Sequence, residues 1–156
     1  MKPVDFSHTD FQSLFDSFKS ETDRGAAVLA GSYVENYLGI FLKEKMVDPS
    51  LADRLFASEG ALSSFSQRID LAQAFGFLSK VQCDDLHLIK KIRNHFAHHP
   101  KEASFDKQPV SDWVNNLIAS KTKMRGPDGS LINVGDAKDR YLISAGMFVA
   151  LNSKTT

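Results

Sequence analysis

The chain has 156 residues, 42% of them hydrophobic, with 19 Lys and Arg balanced by 19 Asp and Glu. That length and composition describe one globular domain and exclude a collagen, a disordered tail or a two-domain enzyme. A formal net charge of zero exerts no global pull on polyanions, so a strongly basic DNA-binding domain is disfavoured, and any nucleic-acid contact has to come from a local cluster of Lys, Arg and His.

Residues 5–19 place Phe6, Phe11, Leu14, Phe15 and Phe18 at intervals near three and four, the spacing of an amphipathic helix that packs an aromatic stripe on something larger. Ser20 followed by Asp23 resembles a capping box and opens a long helix from about Glu21 to Met46. Its apolar residues Val28, Leu29, Val34, Tyr37, Leu38, Phe41 and Leu42, with Gly25, Ala26, Ala27, Ala30 and Gly31 thinning its first half, predict a central helix that a neighbour approaches closely. Asp48-Pro49 stops it, a short helical turn follows near 50–57, and Glu59-Gly60 breaks the chain again.

Ser63 or Ser64 caps the next helix, carrying Phe65, Ile69, Leu71, Ala72 and Phe75. Gly76 and Ser79 mark a tight turn into a helix from Lys80 to about His98, striped by Val81, Leu86, Ile89, Ile92 and Phe96. Pro100 biases His99 away from helical dihedrals, which ends that helix at its histidines. A further helix is read over 110–120, a small hairpin around Pro127-Asp128-Gly129, and a last helix capped by Asp136, with Tyr141, Leu142, Ala145, Phe148 and Val149 facing the core. The expected fold is all-α: one domain over 1–156, a bundle of five to seven helices with at most a minor β-hairpin near 122–134.

The single cysteine, Cys83, forms no internal disulfide, and the first 20 residues carry three acids and no long apolar core, unlike a secretory signal. The longest uncharged stretch, 141–153, is polar at Ser144 and Asn152 and falls short of the roughly 20 apolar residues a span needs. The expectation is a cytoplasmic protein without a membrane segment.

The densest polar phrase is KKIRNHFAHH, residues 90–99. At about 100° per residue Asn94 and His98 share one helix face, His95 and His99 another, and Arg93 lies roughly 140° from His98. An arginine that grips a phosphate beside an imidazole that moves protons suits RNA cleavage, with Asn94 orienting either group. The competing reading satisfies Arg93 and Asn94 within the bundle and leaves the histidines as helix-end cations. His95 with His99, and Cys83 with His87, are also i,i+4 pairs, but they lie about two turns apart with no CxxC or HExxH, so no metal and no cofactor is expected. Gly-rich phosphate loops and GxSxG elbows are absent from the sequence. A helix-turn-helix over 71–93 is opposed by Asp84 and Asp85 where DNA phosphates would lie, and Lys121, Lys123 and Arg125 read as a solvated basic loop.

The segments SETDRGAAVLAGSYVENYL (20–38), EGALSSFSQRIDLAQAFGFLS (59–79) and LIKKIRNHFAHHP (88–100), in that order, resemble the MtlR/MltR family, named for the mannitol operon repressor. The resemblance implies an all-α, HEPN-like domain that regulates transcription through a regulatory protein partner or an oligomer rather than by direct base readout. RNHFAH also resembles the Arg-then-His signature of HEPN ribonucleases, which lands on Arg93 and His98, with His99 as the alternative. That likeness implies a homodimer and the rival function of binding or cleaving RNA without a metal. Asp23, Arg24 and Glu35 are carried over with Arg93, Asn94 and His98; as scaffold they form an interhelical polar network in which Arg24 or Arg93 pairs with Glu35 or Asp70.

Overall fold

A computed structural model describes residues 8–152, with side chains from residue 12 onward. Its described elements are α1 (His8–Lys19), α2 (Asp23–Lys43), α3 (Pro49–Phe56), α4 (Phe65–Ala74), α5 (Lys80–His98), α6 (Val110–Asn115), α7 (Ile118–Lys121) and α8 (Ala137–Asn152). The all-α fold holds. Eight helical segments stand among the described residues instead of five to seven, partly because the helix expected over 110–120 is broken. At the break Leu117 is extended, and the Asp85 carboxylate on α5 accepts the Ile118 N–H at 2.9 Å, starting α7 in a new direction.

The N-terminal helix is described from His8, so Phe6 and the side chain of Phe11 lie outside the described residues. Leu14, Phe15 and Phe18 are half-buried, and α1 packs chiefly on α8 and then on α2. The cap of α2 differs from expectation. Ser20 still belongs to the end of α1, donating its hydroxyl to the Ser17 carbonyl at 2.8 Å, so Thr22 takes the capping role and accepts from the Gly25 N–H at 3.0 Å.

α2 is the central helix, packed against α5, α8 and α4. Ala26, Ala27, Ala30, Val34, Leu38, Phe41 and Leu42 are buried, and the Tyr141 hydroxyl of α8 donates to the Ala27 carbonyl at 2.7 Å. Asp48 caps α3, with Pro49 at its first turn. Ser64 and Ser79 each sit in a full capping box, with Gln67 and Gln82 respectively. Between α4 and α5 the chain reverses at Gly76, φ +72°. There the Gly76 N–H reaches the Gln73 carbonyl at 3.0 Å and the Phe77 N–H the Ala72 carbonyl at 2.9 Å, a Schellman closure that only glycine enters without strain.

The hairpin near 122–134 is minimal, a single antiparallel bridge between Arg125 and Leu131 around a tip at Gly129. Asp136 and Asp139 cap α8 reciprocally, each carboxylate accepting the other's backbone N–H, at 2.9 and 3.1 Å. No helix among the described residues is long and apolar enough to cross a membrane.

Candidate functional site

α5 buries Cys83, Leu86, Ile89, Ile92 and Phe96, and this stripe places Arg93 at the edge of the seam with α2. Gly31 is what admits it. A Cβ at position 31 would lie 2.7 to 2.9 Å from Cβ, Cγ and Cδ of Arg93, closer than carbon atoms pack, so the arginine stem crosses α2 against bare backbone. One turn further along α2, the Glu35 carboxylate accepts from Arg93 Nη1. Arg93 Nε and Nη2 both donate to Asn94 Oδ1 at 3.1 Å, and the guanidinium lies 5.3 Å from the centre of the Phe65 ring on α4. Side-chain exposures of 16% for Arg93 and 23% for Glu35 make this a largely desolvated pair, strengthened by the surrounding low dielectric and costly to break from one side.

Arg68 of α4 completes the junction, donating from Nε to the Leu62 carbonyl at 2.9 Å and from Nη1 to the Glu35 carbonyl at 3.3 Å. Burial pulls Arg68 below its ordinary pKa, and the Glu35 charge opposes that shift. Three helices thus meet on Glu35, through its carboxylate and its carbonyl. The sequence reading had Arg93, Asn94 and Glu35 as candidates but missed Arg68; the available signal was its four-residue separation from Ala72 on a helix that buries Ala72.

The histidines at the end of α5 separate. His95 stacks on His99 with centroids 4.3 Å apart and planes at 22°, and meets the Trp113 ring edge-on at 5.5 Å. His99 Nδ1 lies 3.0 Å from the His95 carbonyl. Burial, then the neighbouring His99, holds His95 below the ordinary imidazole value. His98 is exposed, and among the described residues no hydrogen bond, ion pair or ring contact joins it to Arg93. The guanidinium turns inward to Glu35 and Asn94, and three of its nitrogens already donate there.

Asp23 and Arg24 stand apart from this junction. Asp23 accepts from the Phe105 N–H at 3.4 Å and faces Lys138 at 3.7 Å, while Arg24 is exposed. Asp70 pairs with His87 at 3.7 Å, which takes His87 away from the buried Cys83. No group of three or more His, Cys, Asp or Glu able to hold a metal occurs among the described residues. Asp85, which the sequence reading used only as an argument against DNA, is pushed up to about 6, chiefly by burial, against the Ile118 N–H that favours its charge. Its legible signal is its place four residues before Ile89 on the buried stripe.

A family model described as mannitol repressor matches residues 28–153. No curated protein matches the chain. Among solved structures, a chain of the MtlR–HPr complex from Escherichia coli superposes with a TM-score of 0.70 at 12% identity, over 92% of this chain and 98% of that one. A possible transcriptional regulator, YggD, from Shigella flexneri 2a superposes with a TM-score of 0.63 at 13% identity, over 96% of each chain. Those identities carry the fold alone. The family match covers most of the sequence, including the α2–α4–α5 junction built on Glu35, and on that ground the chain belongs to the mannitol repressor family.

Proposed function

We propose that this chain is a cytoplasmic transcriptional regulator of the mannitol operon that acts by holding a regulatory protein, an HPr-type partner, and not by reading bases. The observation that carries the reading is the likeness in fold to a chain crystallised in complex with HPr, joined to membership of the repressor family. Two further features support it. The chain carries no net charge with which to hold a duplex. Arg93, the best candidate for gripping a phosphate, is engaged by Glu35 and Asn94 within its own fold. In this reading Arg93, Asn94 and Glu35 are scaffold, Asp23 and Arg24 belong to the start of α2, His95 braces Trp113 with His99 stacked on it, and the working form is a homodimer.

The test is calorimetric titration of the purified chain with the HPr protein of the same genome, alongside a mannitol-operon reporter in cells with and without the gene. Micromolar or tighter binding and derepression on deletion are expected. Absence of both would overturn the reading. Incubation with mixed RNA checks the rival: cleavage lost in both Arg93→Ala and His98→Ala would transfer the function to RNA.

A further inference from the structure

The turn between α4 and α5 exposes aromatic surface that the bundle does not use. Phe75 is 66% exposed, Phe77 38% and Val81 59%, and the two phenyl rings stack on each other, centroids 5.5 Å apart and planes at 12°. The backbone beneath them is rigid on both sides: the Schellman closure at Gly76 fixes Phe75 and Phe77, and the Ser79 capping box fixes the start of α5. An aromatic pair held in one conformation loses little entropy when covered, which is the condition for an energetic anchor in a protein interface.

A cation marks the edge of this patch. The Lys45 ammonium, just past the end of α2, lies 4.4 Å from the Phe41 ring centre and 4.9 Å from that of Phe77. Neighbouring lysines have carboxylates, Lys43 with Asp53 and Lys80 with Asp84. Among the described residues Lys45 has no acidic partner within ion-pair distance. An apolar anchor with an unneutralised cation beside it complements a surface that offers an apolar side chain and a carboxylate. A nucleic-acid strand could stack on the rings, but of these three lysines only Lys45 is left to meet its phosphates, Lys43 and Lys80 being paired with Asp53 and Asp84.

From this geometry we infer that Phe75, Phe77 and Val81, with Lys45 at their edge, form the docking face for a protein partner that presents an apolar side chain next to a carboxylate. The inference rests on the partner-holding reading above and assigns it a surface. Phe75 and Phe77 both stand outside the buried core, so their replacement should leave the fold standing, which thermal unfolding checks, and isolate docking.

The experiment titrates the HPr protein of the same genome into the full chain, into Phe75→Ser with Phe77→Ser, and into Lys45→Glu, with thermal unfolding as the control. Affinity is expected to fall by about tenfold or more for the double variant. A smaller loss of about threefold for Lys45→Glu should shrink in high salt. Equal binding by wild type and a folded double variant would overturn this surface while leaving the partner reading intact. Failure of HPr to bind the wild type would overturn both. Self-association of the wild type in sedimentation, abolished in the double variant, would make a second copy the occupant and overturn the assignment, as would a ring-dependent shift of single-stranded RNA.

Discussion

Glu35 and Arg93 meet across the seam between α2 and α5 at the one place where Gly31 lets the arginine stem lie against backbone. The contact and the ion pair are therefore one device. Arg93→Ala should destabilise the fold by about 3 kcal/mol, because it strands a largely buried carboxylate. Gly31→Ala should cost about 1–3 kcal/mol by forcing the stem away. In an Arg93→Ala background the Gly31→Ala cost should shrink in part, since Cγ and Cδ are gone while the Cβ at 2.7 Å remains. A urea double-mutant cycle checks the coupling, and strict additivity would refute it.

Asp85 should give stability a pH dependence of known sign. Its folded value, pushed up to about 6 mainly by burial, stands above the ordinary 3.8, so the folded state holds the proton more tightly than the unfolded chain. The resulting stabilisation is complete below about pH 4 and is lost as pH rises through 6. Asp85→Asn keeps an oxygen for the Ile118 N–H and abolishes the charge. It should be about 1 kcal/mol more stable than wild type at pH 8, allowing for the water that reaches part of the carboxyl, and equal to it at pH 4. Urea unfolding at the two pH values decides; a gap of constant size would exclude the carboxyl as its source.

His95 should titrate below the ordinary imidazole value of 6.5, first because it is desolvated and then because His99 faces it. Stability from this group is present above pH 6.5 and declines as pH falls through its lowered value. His99→Ala should move the His95 midpoint upward. Imidazole proton shifts followed by NMR against pH report the midpoint directly, and an unmoved value in the variant would show that His99 contributes nothing.

Ser144 has a buried hydroxyl with no hydrogen-bond partner among the described residues. It lines a small cavity with Asp85, Ile118 and Phe148 between α5, α7 and α8. Removing a buried group that makes no bond relieves its desolvation, so Ser144→Ala should raise the melting temperature by about 2–4 °C for a chain of this size. A drop in melting temperature would mean that the hydroxyl holds a partner in solution.

Most of the helices were legible because their stop and start signals are local. Ser64, Ser79, Asp48-Pro49 and Gly76 act within a few residues, and the structure uses each as its chemistry suggests. The misplaced cap of α2 and the broken helix near 117 share a different cause. Ser20 was claimed by α1, and Ile118 by a carboxylate 33 positions away in sequence; neither competitor shows in a local window. The candidate site was legible as a set of residue types but not as a geometry. Periodicity placed Arg93 and His98 on different faces and left Arg24 or Arg93 to pair with Glu35 or Asp70; the three-dimensional crossing at Gly31 is what selects Arg93 with Glu35.

The ammonium of Lys19 lies 2.6 Å from Asp139 and 3.3 Å from Asp136, joining the first described helix to the start of the last across 117 positions of sequence. During synthesis α1 leaves the ribosome long before α8 exists, so Leu14, Phe15 and Phe18 have only α2 to pack on until α8 has emerged. Closure of this end of the bundle therefore waits for α8, and a polypeptide truncated before α8 presents an aromatic stripe covered only in part, by α2, to chaperones and proteases.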